Sequence, residues 1–331
     1  KSRLNRARQS FAELIGPQVL RLNFGGNPGL RTGQLMVFRH QHCILWGIET
    51  YLCGNVTFRD IGLHATPGIG FMIRGTTDVL FDRIRVEPRP GSDRIMSTCH
   101  DAIMTSVVGG KIELKDCSIA GMGDDGFSIN SNRIHVEKRV DDHTVDAYFQ
   151  NYSDFHWRPH SIPPVIGQHV VIAKLNKGIT SRPRVGAVTF DETTGKMRVT
   201  FADAIPADVA PGDIVCDLER VAKLHIHGCT FKPNRSRGIL VGRSSGAVCE
   251  SNVFDQVGGT ALMVHPSYGF RDDPVPEIIL RNNKFINCGY AVANMGANGV
   301  VVLDHWFELP EVFGTTTRVY RNMVIEGNTF T

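Results

Sequence analysis

The sequence reads as all-β: a right-handed parallel β-helix with a small antiparallel β-barrel or sandwich inserted into it. Three observations lead there. A degenerate unit of alternating apolar and polar residues recurs along the chain. A second short apolar segment, turned by Gly, Asn or Asp, follows most copies. The recurrence stops between Ile134 and Leu218, where charge, Pro and alternating β-branched residues take over.

Lys1–Gly33 has little pattern, with a short helix expected within Phe11–Leu20. Leu35–Phe38 and Cys43–Gly47 read as strands. From Val56 the units line up as Val56–Leu63, Val79–Val86, Ile112–Ile119, Leu224–Phe231, Ala247–Phe254, Ile278–Phe285 and Met323–Phe330. Each runs apolar, polar, apolar, then a two-residue polar step, a small or apolar residue, and a last large apolar one. Alternation is the mark of a strand, and the step is a corner between strands. The second strands are Gly70–Ile73, Ala102–Met104, Gly126–Ile129, Gly238–Val241 and Thr260–Met263. Units one coil apart stack at roughly 4.8 Å, so equivalent interior residues form ladders. Cys117, Cys229, Asn252, Asn283 and Asn328 share one such ladder. Inward Asn satisfies buried turn backbone. The two cysteines read as free, buried core fillers, with a disulfide between them as the alternative.

In the interruption, Val165–Ala173, Gly186–Phe190, Met197–Phe201 and Asp213–Cys216 read as antiparallel strands. Glu192–Gly195 reads as a hairpin turn and Pro211–Asp213 as another tight turn. The chain therefore divides into a first part of the helix (1–137), an inserted β domain (138–217) and a second part of the helix (218–331). The insert would project next to an Asp pair described below, as a wall of a cleft. Segment 300–318 leaves the repeat and is expected to wrap an end or cover a face.

Bulk properties narrow the function. The 331 residues are 42% hydrophobic and 21% charged, with 34 Gly and 8% aromatics, which suits many tight turns around an aliphatic core. The net charge of +3, with no basic run beyond Lys1–Arg8, argues against a nucleic-acid partner. No run approaches the length of a membrane-spanning helix, so no membrane partner is expected. No signal peptide is visible, and the chain begins at Lys1 without a Met. Eight cysteines without a Cys-x-x-Cys spacing argue against a zinc cluster.

Aligning the second strands puts Asp101, Asp125 and Arg237 at one position. Asp101 and Asp125 then become vertical neighbours on the outer face, and Asp124 points differently because side-chain direction alternates. Carboxylates held so close shift each other's pKa, which suits acid/base chemistry. Cleaving a glycosidic bond with inversion needs a proton donor for the leaving oxygen and a base that activates water. Asp124 is the candidate acid, and Asp101 with Asp125 the water-activating pair. No cofactor is called for. Turn chemistry in Gly123-Asp124-Asp125-Gly126 and a calcium site are the plain alternatives. Around them, His100 is placed to orient Asp101, and Arg237 and Arg243 to grip a sugar substituent. His265 and Tyr268 are placed to line the pocket, and Trp157, with Phe155 and His156, to stack on a sugar face. His305 and Trp306 are weaker candidates of the same kind. Each has an ordinary structural reading beside it.

His100-Asp101-Ala102, then Gly121-Met122-Gly123-Asp124-Asp125, then a β-rich insert, resembles glycoside hydrolase family 110. The resemblance covers roughly 55–260. It implies an exo-acting, inverting α-galactosidase, notably on α-1,3-linked galactose, built as a β-helix with small barrel domains. It also implies that the three matching aspartates are the catalytic set and that the partner is an oligosaccharide or polysaccharide; a secreted or periplasmic location is expected. Gly126-Phe127-Ser128-Ile129-Asn130 stands where that family has Ala and an Asn-Val-His stretch. The Asp spacing is also similar to the polygalacturonase family, whose Gly-His-Gly and Arg-Ile-Lys elements this sequence lacks. A polysaccharide lyase and a non-catalytic glycan-binding β-helix are the competing readings. The lyase lacks a Lys in the ladder beside the Asp cluster, and the binder has no need of the cluster. Pairing into a homodimer is left open by the fold.

Overall fold

The computed structural model describes residues 11–23, 31–33, 37, 45–131, 134–150, 152–153, 161–174, 178–217, 219–265, 277–290, 299–303 and 322–331. Three parallel sheets of seven strands each wind through them. The first sheet takes the opening strand of every unit, in the order Met323–Glu326, Ile278–Arg281, Gly246–Glu250, Lys223–His227, Gly109–Lys115, Thr77–Asp82, Gly54–Arg59. Its register runs Val56, Val79, Ile112, Leu224, Ala247, Ile278, Met323, which is the alignment read from the sequence. The second sheet holds the short strands after the polar step, such as Ser118–Ile119 and Thr230–Phe231. The third holds Ile48–Tyr51, Phe71–Arg74, Ile103–Ser106, Phe127–Asn130, Ile239–Val241, Leu262–Val264 and Val301–Leu303. The fold is the right-handed parallel β-helix that the repeat predicts.

The polar step makes the corner by a backbone device. Its second residue is left-handed in every coil: Asp60, Arg83, Asp116, Gly228, Ser251, Asn282 and Gly327 have φ between 54° and 65°. Gly, Asn and Asp tolerate that region, which is why the step is rich in them. Arg83 is the awkward member, and it is held by a two-pronged bond to Asp60 one coil away. Inside, Phe231, Phe254, Phe285 and Phe330 stack at 4.9, 4.9 and 4.8 Å between ring centroids, the repeat of the coil itself.

The polar ladder satisfies the backbone it was assigned. Asn252 Oδ1 accepts from Cys229 N at 2.9 Å, Asn283 Oδ1 from Asn252 N at 3.0 Å, and Asn328 Oδ1 from Asn283 N at 2.9 Å. Each amide donates in turn to a carbonyl: Ile226, Cys249 and Leu280. Cys117 and Cys229 are both free thiols, and Cys117 N donates to Cys229 Sγ at 3.4 Å. Replacing Asn283 by Ala strands Asn252 N and Cys249 O in the interior, at about 1–3 kcal/mol for each group left unpaired. Chemical denaturation should show that loss, and Asn283→Cys should lose less, since a thiol already serves in the lower coils.

Between Phe127–Asn130 and Lys223–His227 the chain leaves the helix and builds a seven-stranded antiparallel sheet. Its order is Gly178–Ser181, Val170–Lys174, Ile214–Asp217, Ile134–Arg139, Thr144–Phe149, Lys196–Phe201, Val185–Asp191. Bonds from Gly167 N to Val185 O and from Val185 N to Gln168 O curl it back on itself. Val136, Phe149, Val170, Val199 and Phe201 belong to its own core. The helix is not interrupted by it, because Ile112 pairs directly with Leu224 and Phe127 with Ile239.

At the N-terminus the expected helix is a hairpin instead: Phe11–Gly16 pairs antiparallel with Val19–Asn23. Gly16-Pro17 breaks a helix at its middle, and Gln18 takes the left-handed turn position at φ 64°. The strands expected at Leu35–Phe38 and Cys43–Gly47, and segment 300–318 beyond Leu303, fall largely outside the described residues. Among those residues no helix is long and apolar enough to cross a membrane.

Candidate active site

The site lies where each coil turns from the second sheet into the third. There the coils hold hands through single backbone bonds. Gly70 N donates to Asp101 O at 3.0 Å, Ala102 N to Asp125 O at 3.0 Å, Gly126 N to Arg237 O at 2.9 Å, and Gly238 N to Thr260 O at 3.1 Å. Asp101, Asp125 and Arg237 therefore stand above one another on successive coils. The glycines around the Asp pair serve this stacking. A Cβ at Gly123 would collide with Cys99 O, and one at Gly126 would come within 2.9 Å of the Phe231 ring. They are there to let coils approach, so turn chemistry alone does not account for the motif.

The ladder is built differently from two carboxylates facing water. Asp101 and Asp125 are buried, with side chains 2% and 4% exposed, while Asp124 is 16% exposed. Asp101 Oδ1 accepts from Asp125 N at 3.2 Å and lies 2.9 Å from His100 Nδ1. Asp101 Oδ2 accepts from Ser128 Oγ at 2.6 Å. Arg237 grips Asp125 with both prongs, Nε to Oδ1 and Nη2 to Oδ2, each at 2.8 Å. The Arg237 backbone N also donates to Oδ1, at 3.2 Å. Asp124 Oδ2 lies 3.7 Å from His100 Nε2. Among the described residues Asp124 Oδ1 has no hydrogen-bond partner. Asp124 is thus the most exposed of the three, while its Oδ1 is buried and unbonded.

Burial and charge pull these groups apart. Burial pushes Asp125 up to about 6, against the pull of the Arg237 guanidinium and helped by the charges of Asp101 and Asp124. Burial also opposes the charge on Asp101, but the His100 charge and the bonds from His100, Ser128 and Asp125 N outweigh it and hold that carboxyl below the usual range. Asp125 and its near neighbours raise Arg237, which stays cationic. One coil below Asp101 the same ladder position is Ile69, which joins Trp46, Met72 and Met104 in a small apolar cluster. That dry flank lies beside the buried ladder.

Of the other candidates, His100 sits between Asp101 and Asp124. Arg237 is in the site but committed to Asp125, so a grip on sugar is corrected to a grip on a carboxylate. Arg243 and His265 come after their third-sheet strands, at the opposite end from the aspartates, separated by roughly 15 Å of chain. There Arg243 Nη1 meets Cys216 Sγ at 2.7 Å and His265 N donates to Val241 O at 2.9 Å. Trp157, Phe155, His156, Tyr268, His305 and Trp306 lie outside the described residues.

Three residues belong to the site that sequence reasoning missed. Ser128 carries the short bond to Asp101, Asn130 Nδ2 donates to Ser128 Oγ at 3.1 Å, and Asn234 Nδ2 bonds Arg237 O at 2.7 Å. Ser128 had a signal: its immediate neighbours on the outward ladder, Met72 and Met104 below and Leu240 and Met263 above, are all apolar. One donor atom from each of His100, Asp101 and Asp124 lies within 4.8 Å of the others. An imidazole in that set suits calcium poorly, because calcium takes oxygen ligands.

A family model described as a right handed beta helix region matches residues 214–331. An alpha-1,3-galactosidase A from Bacteroides fragilis is 23% identical over 324 residues, 97% of this chain and 52% of that protein. An alpha-1,3-galactosidase A from Akkermansia muciniphila is 22% identical over 319 residues, 96% of this chain and 51% of that protein. An alpha-1,3-galactosidase B from Bacteroides fragilis is 28% identical over 269 residues, 78% of this chain and 44% of that protein. The chain spans about half the length of these curated relatives. It is a right-handed parallel β-helix similar over nearly its whole length to enzymes named alpha-1,3-galactosidase.

Proposed function

We propose that this protein is an inverting glycoside hydrolase that releases terminal α-linked galactose, with α-1,3 linkages first among its substrates. The observation that carries the reading is the gathering of Asp101, Asp124 and Asp125 on adjacent coils, two buried and one partly exposed, in a chain similar to alpha-1,3-galactosidases. Asp124, the most exposed of the three carboxyls, gives its proton to the leaving glycosidic oxygen. Asp101 and Asp125 take up the attacking water. Asp101 Oδ2 is bonded by Ser128 and Asp125 Oδ2 by Arg237, so each keeps room for one more donor. Water fixed between two such oxygens loses its proton to the pair as it attacks the anomeric carbon from the face opposite the leaving group. His100, Ser128 and Arg237 are positioning residues, which aim and charge the carboxylates.

A pH dependence follows. Asp125 must be ionised to accept a proton, and its carboxyl is raised to about 6. The base role of Asp125 is therefore lost as pH falls through about 6. The acid limb of kcat/KM between pH 4 and 8 should titrate near 6 and belongs to the coupled set of carboxylates. A limb at the ordinary carboxylate value would remove Asp125 from the base role.

The deciding experiment offers aryl α- and β-glycosides and α-1,3-linked galactose oligosaccharides to the full chain. NMR then follows the anomer released first. β-Galactose from an α-linked donor supports the proposal. First-formed α-galactose makes the enzyme retaining, unsaturated products make it a lyase, and no product from any galactoside removes the galactosidase reading.

A further inference from the structure

A second cluster stands on another face, the outer surface of the first sheet. Strand Lys223–His227 lies between Gly109–Lys115 and Gly246–Glu250. Alternation turns both His225 and His227 outward, and their rings stack at 4.4 Å and 26°. The register sets Glu113 opposite His225 on one side and Glu250 opposite His227 on the other. The bonds run diagonally: His227 Nε2 meets Glu113 Oε1 at 2.9 Å, and His225 Nε2 meets Glu250 Oε1 at 2.8 Å. The outer oxygens are held from outside. Lys111 Nζ sits 2.5 Å from Glu113 Oε2, and Arg281 Nε sits 2.6 Å from Glu250 Oε2. Each carboxylate is thus anchored by a cation and offers its other oxygen to the histidines.

One donor atom each from Glu113, His225 and His227 lies within 4.8 Å of the others. Ligands around a zinc ion at about 2.0–2.1 Å stand somewhat closer together than that, so small side-chain adjustments suffice. Two imidazoles two apart on one strand, joined by carboxylates from both neighbouring strands, form a donor set for a first-row transition metal and not for calcium or magnesium. The four side chains are 22–27% exposed, open enough for an ion to enter and already ordered by their partners.

We propose that Glu113, His225 and His227 form a surface site for a divalent first-row transition metal, zinc foremost, with Glu250 orienting His225 from the other neighbouring strand. The ion sits among one donor atom each from Glu113, His225 and His227, and Lys111 keeps the Glu113 carboxylate aimed. The site shares no residue with the aspartate cluster and does not depend on the galactosidase reading.

Titration of the metal-free full chain with Zn2+ by calorimetry, and with Co2+ by visible absorption, tests it. One ion per chain is expected, with ligand-field bands in the cobalt form. His225→Gln/His227→Gln should weaken binding at least tenfold and erase those bands, and Glu113→Gln, a milder change, should weaken it in the same direction. His100→Gln should leave it intact, and hydrolysis by the double variant should be unchanged. Absence of stoichiometric binding, unchanged binding in the double variant, or loss of binding in His100→Gln each overturns the assignment.

Discussion

Asp124→Asn should lower turnover of a galactose disaccharide by roughly 10³-fold or more while leaving the fold intact. The size follows from chemistry: an alkoxide leaving group needs its proton in the transition state, and an amide cannot give one. The intact fold follows from position, since Asp124 is the most open member of the cluster and its Oδ1 supports nothing. A leaving-group series separates this role from general damage. A nitrophenyl galactoside departs as a weak base and needs little protonation, so the variant should lose far less on it than on the disaccharide. Asp125→Asn, which removes the base, should lose about equally on both. Equal losses for Asp124→Asn on the two substrates would take the acid role from it.

Arg237→Met should cost about 3–5 kcal/mol of stability, because it leaves a buried carboxylate without its partner. Arg237 supplies three of the bonds to Asp125, two from the guanidinium and one from its amide, and the variant keeps only the amide. The loss carries a pH signature. The Asp125 carboxyl lies higher in the folded than in the unfolded chain, so its contribution is full below the unfolded value and is lost as pH rises through about 6. Without Arg237 that carboxyl rises further. The deficit should therefore be largest above pH 6 and shrink toward pH 4. Asp101 runs the other way, lowered in the folded state, so its contribution is lost only as pH falls below the ordinary carboxylate range. Denaturant unfolding across pH 4–8 reads the Asp125 signature, and extending it to pH 2 reads that of Asp101. The double change Asp125→Asn/Arg237→Met should recover much of the loss, and a deficit flat in pH would point to lost packing instead of lost charge pairing.

The helix was legible because its sequence signal is periodic and its physics is local. The alignment of Val56, Val79, Ile112 and Leu224 is the observed register, since a one-residue slip would turn every Phe and Ile outward. The placement of Asp101, Asp125 and Arg237 on one ladder followed from that register alone. What the ladder does was less legible. Alternation says which residues share a position but not whether two charges will face water or each other, and only side-chain reach decides that Arg237 folds back onto Asp125. Ser128 was passed over because a single hydroxyl in a strand carries no periodic signal. Arg243 and His265 were grouped with the site by coil number, and the structure puts them at the wrong end of their strands. At the N-terminus the composition of Phe11–Leu20 suits a helix, and its central Gly16-Pro17 makes a hairpin instead.

The ion pair that closes the ladder joins residues 112 positions apart, with the antiparallel sheet strung between them. During synthesis at about 5–20 residues per second, Asp125 leaves the ribosome on the order of ten seconds before its arginine does. Over that interval the growing solenoid ends in an open strand edge with an unmatched acid on it, the kind of surface that invites wrong pairing. The intervening sheet has its own core and can fold during the wait. A nascent chain stalled just before Arg237 should therefore be the point of greatest dependence on a holding chaperone.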